Sequence, residues 1–200
     1  SNGKTTTVRL LAAMLRAHGL ASGYSSTDGL YIGGECVDAG DYSGPVGART
    51  VLRDARVQAA VLETARGGLL RRGLVADDAR VAVVTNVSAD HFGEYGIHSL
   101  DDLAAVKLVV AKSLAEDGLL VLNADDAMLV KHAASAGAPR IGWFALDFVT
   151  ACARGLPACG VRDGRLALAM DYGESDLGDI AVMPLTVGGS AHYNIANIAA

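Results

Sequence analysis

The stretch SNGKTTTVRLLAAMLRAHG, residues 1–19, decides how the rest of this chain is read. Its opening, Ser1-Asn2-Gly3-Lys4-Thr5-Thr6-Thr7, matches the second half of the phosphate-binding loop G-x-x-x-x-G-K-[ST]. In that pattern Gly3 lets the main chain come close to phosphate oxygens. Lys4 places an ammonium at the β- and γ-phosphates, and Thr5 offers a hydroxyl to Mg²⁺. Behind the loop, Val8, Leu11, Met14 and Leu15 fall on one stripe before Gly19, which predicts a helix over Thr5–His18. Its positive end points at the anion. A chance Gly-Lys-Thr ahead of an amphipathic helix is the competing reading, and the loop-then-helix context argues against it.

Outward from this start, apolar runs alternate with helical patterns. Val57–Glu63, Val81–Val87, Leu119–Asn123 and Arg140–Phe144 read as strands. The second and third are almost continuously apolar, as parallel strands covered on both faces are. Ser99–Glu116 opens on a capping-box pattern and carries Leu103, Val106, Val110 and Leu114 at helical spacing. Asp125–Ala136 is a further helix, ending near Gly137. The expected fold class is α/β: a P-loop-containing, mostly parallel sheet with helices on both faces. A small β-rich C-terminal flap follows, with a hairpin over Gly160–Met170 turning at Asp163-Gly164 and a strand over Asp179–Val187. A last helix begins near Asn194. One domain over residues 1–200 is expected.

The 200 residues carry a formal net charge of −5 and no basic run, which argues against nucleic acid as a partner. A phosphate cradle needs main-chain N–H groups and one or two lysines, so a nucleotide remains compatible. The cysteines Cys36, Cys152 and Cys159 lack metal-ligand spacing and suit a reducing, cytoplasmic setting. No window approaches the roughly 18 apolar residues of a membrane span. With no initiator Met and only half of the loop, the chain reads as a piece of something longer.

Several polar clusters follow strands, where doubly wound sheets keep their ligand crevice. Glu63 closes an apolar strand and can hold Mg²⁺. Arg66 beside Gly67-Gly68 suits an anion clamp, and a plain turn is the bland alternative. In Thr85-Asn86-Val87-Ser88-Ala89-Asp90-His91, Asp90 and His91 could serve a metal, although a lone Asp-His pair more often caps a loop. Lys107 lies beside the apolar stripe of its helix, a place from which lysines usually reach to solvent. Asp125-Asp126 after Asn123 could simply cap the next helix. Asn194 and Asn197 share a helix face; an amide can read the N6/N7 edge of adenine, and N-cap duty for Asn194 competes with that.

Taken in order, these motifs resemble the central, ATP-binding domain of the Mur ligase superfamily. That group includes peptidoglycan-precursor ligases, folylpolyglutamate synthetase and cyanophycin synthetase. Tyr24–Ile32, Glu35–Leu52 and Val61–Leu70 resemble the C-terminal half of the cyanophycin synthetase branch most. The resemblance implies an ATP-dependent acid–amino-acid ligase working through an acyl phosphate, with arginine added to an aspartate side chain in that branch. ATP and Mg²⁺ are the implied cofactors. The implied partners are a peptide-like acceptor and an amino-acid donor, with no nucleic acid and no membrane; a homo-oligomer is compatible. Implied catalytic residues are Lys4, His91 and Lys107, the last as a carbamylated lysine. Implied nucleotide contacts are Asn2, Gly3, Lys4, Thr5, Thr6, Asn86, Asn194 and Asn197. Implied metal-site residues are Thr5, Glu63, His91 and Lys107, and Asp28 and Arg66 lie toward the acceptor. Phe92 departs from the Leu or Met usual after Asp-His. Three alternatives stay open: another ligase of the superfamily, a non-catalytic nucleotide-binding domain of this fold, and an unrelated P-loop phosphotransferase.

Overall fold

The computed structural model describes residues 3–88 and 97–200. The chain packs as two compact units, Lys4–Ala76 and Asp77–Ala200, with Gly3 joining the second.

The first unit holds α1 (Lys4–Ala17), β1 (Ser22–Ser26), β2 (Gly29–Ile32), β3 (Glu35–Ala39), α2 (Pro45–Arg53), β4 (Ala59–Leu62) and α3 (Arg66–Arg72). Its sheet runs β3-β2-β1-β4, with β1 parallel to β4 and the other neighbours antiparallel. Val8 and Ala12 of α1 pack on Tyr24 and Val61 in the core. The Ser-Gly-Tyr-Ser-Ser strand β1 is buried throughout despite its polar letters. Small residues are required there because α2 and its flanks lie so close. A Cβ on Gly23 would sit 2.5 Å from Val57 Cγ2, and one on Gly47 would sit 2.2 Å from the Tyr42 carbonyl oxygen. The Ser22 hydroxyl finds its partner on the helix, donating to the Ala12 carbonyl at 3.0 Å.

The second unit holds β5 (Ala79–Val84), α4 (Leu100–Leu108), β6 (Leu114–Asn123), α5 (Ala127–His132) and β7 (Arg140–Asp147). It continues with α6 (Phe148–Cys152), β8 (Ala158–Arg162), β9 (Arg165–Met170), β10 (Gly173–Asp179) and α7 (His192–Ala199). The sheet order is β10-β9-β8-β7-β6-β5. Strands β5 to β8 are parallel to one another, and β9 and β10 extend the sheet antiparallel. The expected α/β class with a parallel sheet is therefore present, and the β-rich C-terminal part is the far edge of that sheet. Phe144, Leu166 and Ala199 are at the centre of the core beneath α7.

Two expected elements differ. The helix expected over Ser99–Glu116 runs only over Leu100–Leu108, tightens to a 3₁₀ turn over Val109–Ser113, and gives way to β6 at Leu114. The β-branched pair Val109-Val110 weakens helix continuation, and the Ser113 hydroxyl closes the turn on the Val110 carbonyl at 2.7 Å. The strand expected over Asp179–Val187 is absent. Asp179 instead ends β10 and caps a short 3₁₀ turn over Ile180–Val182, accepting from Ala181 N at 2.8 Å. Leu185 and Val187 beyond it have φ of 68° and 51°, which no strand tolerates. The true strand, β10, has an irregular polar sequence and is pinned at the edge by Arg162–Glu174 and Arg165–Asp176 ion pairs. Among the described residues no helix is long and apolar enough to cross a membrane.

Candidate functional site

The first unit gathers its polar groups where β4 ends. Glu63 follows β4 directly, and its N–H continues the pairing to the Ser25 carbonyl at 3.0 Å. Its carboxylate is buried, with the residue only 3% exposed. The Thr5 hydroxyl donates to Glu63 Oε2 at 2.8 Å and Thr27 N donates to the same oxygen at 3.4 Å. Lys4 Nζ stands 3.8 Å from Glu63 Oε1, and the Thr5 and Thr27 hydroxyls are 3.0 Å apart. A carboxylate this buried needs a positive partner, and the start of α1 supplies one. The loop motif and the strand-end glutamate are therefore brought together, as the sequence order implied. Thr27 was missed: nothing in the Ser-Thr-Asp turn after β1 marks it as a partner of a residue 36 positions away.

Asp28, in the same turn, pairs with Arg9 at 3.3 Å. A hydrogen bond to Tyr24 raises the Arg9 guanidinium above its usual value, with Tyr31 and Asp28 adding to this against the cost of burial. Tyr24 and Tyr31 stack with ring centroids 4.5 Å apart. Arg66 opens α3, with Ala65 as the N-cap residue and Ala65 N bonded to the Ser43 carbonyl at 2.8 Å. Beside it, Ser43, Gly44, Ala65, Gly67, Gly68 and Arg71 line a cleft of about 330 Å³. Gly44 and Gly68 are in near contact, since a Cβ on Gly68 would lie 3.2 Å from the Gly44 Cα.

In the second unit the strand ends are stitched together. Asn123 Nδ2 donates to the Thr85 carbonyl at 3.0 Å, and Asn123 Oδ1 accepts from Asp125 N at 2.9 Å. Asp125 Oδ2 accepts from Leu146 N at 2.8 Å. Asp126 caps α5 by accepting from Met128 N and Leu129 N, while its other oxygen accepts from Val87 N at 2.5 Å. Of the two, Asp126 caps the helix as the capping reading has it, whereas Asp125 bonds β7 instead, and the motif ties β5, β6 and β7 together. Lys107 departs from the solvent-reaching habit: its ammonium turns inward and donates to the Asn86 carbonyl at 2.7 Å. The Ser99–Asp102 capping box is present, and the hydrogen bond from Ser99 holds the Asp102 carboxyl below its usual range. Asp101 is held low too, by Lys131 first and His132 second, which ties α4 to α5.

Asn194 does not cap α7; Ala191 is the N-cap residue, and Asn194 Nδ2 donates to the Leu185 carbonyl at 2.9 Å. That bond fixes the turn in which Leu185 and Val187 take positive φ. Asn197 lies against the loop glycine. Gly3 has φ +94°, and a Cβ there would sit 2.2 Å from Asn197 Oδ1. The positive φ is what favours glycine there, since the close atom is the movable end of the Asn197 side chain. Thr6 lies in the first turn of α1. Asn2, Asp90 and His91 lie outside the described residues. Among the described residues no three His, Cys, Asp or Glu side chains gather as a metal cage. The Thr5–Glu63 pair nevertheless suits Mg²⁺, which is typically held by one or two protein oxygens and completed by phosphate and water.

The chain is also similar to known proteins. Residues 1–146 match the family described as Mur ligase middle domain. The chain is 43% identical over 202 aligned positions to cyanophycin synthetase of Nostoc sp. (strain PCC 7120 / SAG 25.82 / UTEX 2576), covering 98% of this chain and 22% of that protein. The chain thus spans about a fifth of the length of such relatives. The solved structure of UDP-N-acetylmuramoyl-L-alanyl-D-glutamate–2,6-diaminopimelate ligase superposes with a TM-score of 0.69 at 24% identity, over 98% of this chain and 39% of that one. E. coli FolC in complex with DHPP and ADP superposes with a TM-score of 0.60 at 18% identity, over all of this chain and 55% of that one. With its loop lysine and threonine set on a buried strand-end glutamate, the chain belongs to the Mur ligase middle domain family.

Proposed function

We propose that this chain is the ATP-binding core of an amide-forming ligase of the cyanophycin synthetase type, which adds arginine to the side-chain carboxylate of an aspartate. The observation that carries the reading is the Lys4–Thr5–Glu63 cluster, a buried carboxylate held by the loop that a nucleoside triphosphate requires. The identity to cyanophycin synthetase narrows it to that branch. Thr5 and Glu63 would hold Mg²⁺, which supplies neutralising charge at the phosphates. Lys4 places its ammonium at the β/γ-phosphates, and Gly3 gives the main chain access to them. Asn194 and Asn197, with Asn2, Thr6 and Asn86, serve the nucleotide. Lys107 and His91 serve a second metal, and Asp28 and Arg66 face the acceptor.

The chemistry balances in two steps. An oxygen of the acceptor carboxylate attacks the γ-phosphorus, the bridging P–O bond breaks, and ADP leaves with an acyl phosphate behind. The donor amine then attacks the acyl carbon, the C–O bond to phosphate breaks, and the amine gives up a proton. The protein contributes positioning and charge neutralisation. Such an enzyme works in the cytoplasm, where ATP is.

The test is Lys4→Ala in the full-length protein, assayed for acceptor-dependent ADP release and amide formation. The reading predicts loss of ligation by at least about a hundredfold. Ligation at the unmodified rate would overturn it. A ligase acting on a peptidoglycan precursor is the second reading, favoured by the fold likeness to the diaminopimelate ligase. Offering each acceptor and amino acid to the full-length protein separates the two.

A further inference from the structure

Strands β1 and β2 pair from Gly23↔Ile32 to Ser26↔Gly29, so Thr27 and Asp28 make the turn between them. Both side chains reach α1, one helical turn apart. Thr27 Oγ1 is 3.0 Å from Thr5 Oγ1, and Asp28 Oδ2 is 3.3 Å from Arg9 Nη1. Thr5 and Arg9 stand at i and i+4 and share a helix face. The two contacts are therefore rungs of one ladder between α1 and the turn. The first rung belongs to the metal end of the site. Thr5 has a single hydroxyl proton, which it gives to Glu63 Oε2 at 2.8 Å. Thr27 is then the donor to Thr5, and its N–H adds a contact to the same Glu63 oxygen at 3.4 Å. A chain of donors runs from Thr27 through Thr5 to Glu63, each bond polarising the next.

The second rung is anchored to the core. Arg9 also donates to the hydroxyls of Tyr24 and Tyr31. Tyr24 is buried on Val8, Ala12 and Val61, and Tyr31 stacks on it. The Arg9 and Asp28 side chains are 52% and 46% exposed, and an ion pair that exposed adds little to fold stability. What the pair does is fix where the turn lies. We infer that Arg9 is a positioning residue: through Asp28 it holds Thr27 against Thr5 and Glu63, and so sets the geometry of the metal-binding end of the site. Outer partners that orient such oxygens govern how well a metal is held. The inference rests on the proposed function to the extent that Thr5 and Glu63 hold Mg²⁺ for a nucleotide.

The test uses the full-length protein and a fluorescent ATP analogue, with binding followed as Mg²⁺ is titrated. Arg9→Met keeps the apolar stem and removes the guanidinium. It should raise the Mg²⁺ concentration at half-saturation about tenfold, with little change in melting temperature. Asp28→Asn should do the same. The double variant should be no worse than either single one, because both act through one contact. Arg9→Lys, which keeps the charge, should lose much less. Unchanged Mg²⁺ dependence in folded Arg9→Met would overturn the inference. So would additive losses in the double variant, or a lowered melting temperature with Mg²⁺ dependence intact, which is the signature of a merely structural pair. Asp28→Asn with a raised KM for the acceptor and an unaltered Mg²⁺ dependence would overturn it too, and would assign Asp28 to the acceptor alone. The expected variant effects in a protein that forms no amide bond would leave the positioning role standing and remove the ligase reading.

Discussion

Glu63 shows how far one residue's surroundings specify its task. The Glu63 carboxylate, with 1% of its side chain exposed, faces the Lys4 ammonium at 3.8 Å, the Thr5 hydroxyl at 2.8 Å and the Thr27 N–H at 3.4 Å. On the proposed reading, Thr5 and Glu63 would hold a divalent cation there. Glu63→Gln keeps the shape and an acceptor oxygen for Thr5, so it should fold with a melting temperature within a few degrees of the wild type. It should lose Mg²⁺-dependent ADP release by about tenfold to a hundredfold. A variant with intact activity at limiting Mg²⁺ would place the metal elsewhere. Gly3 makes the complementary point: the loop motif asked for a glycine near phosphate, and the structure gives it a positive φ of +94° beside the Asn197 side chain.

Among the elements, the Asn123–Asp126 segment carries more of the architecture than its letters suggested. Asp126 serves three main-chain N–H groups, two in α5 and one in the loop after β5, so Asp126→Ala removes a helix cap and leaves Val87 N without its acceptor. The expected cost is about 2–4 kcal/mol, from about 1 for the cap and about 1–3 for the orphaned donor. Denaturant unfolding measures it, and Asp126→Asn, which retains the cap acceptor, should cost about half as much. A cost under about 0.5 kcal/mol for the alanine variant would show that Asp126 is an incidental contact. The helix α1, the parallel strands β5, β6 and β7 and the β8–β9 hairpin were legible because each has a periodic apolar pattern or a turn signature. The strands β1 and β10 were not. Burial of β1 follows from the close approach of α2 rather than from apolar side chains, and β10 is an edge strand held by ion pairs. The expected strand over Asp179–Val187 failed at Leu185 and Val187, whose positive φ is imposed by the turn that Asn194 anchors.

For the molecule as a whole, motifs in chain order were more informative than any one of them. Each loop, strand-end acid or paired asparagine has an ordinary structural role available. Asp126 turned out to fill its capping role, whereas Asp125 bonds β7 and Asn194 holds the Leu185 turn instead of capping α7. What the order conveyed was that Lys4, Thr5 and Glu63 belong together, and the fold of the first unit puts them there. The proposed chemistry activates a carboxylate as an acyl phosphate. The direct measurement is ligation by the full-length protein with an acceptor whose carboxylate carries ¹⁸O, followed by mass analysis of the released phosphate and nucleotide. The account predicts one ¹⁸O transferred into inorganic phosphate for each amide bond formed, with ADP unlabelled. Label appearing in AMP, or amide formation with no label in phosphate, would contradict it.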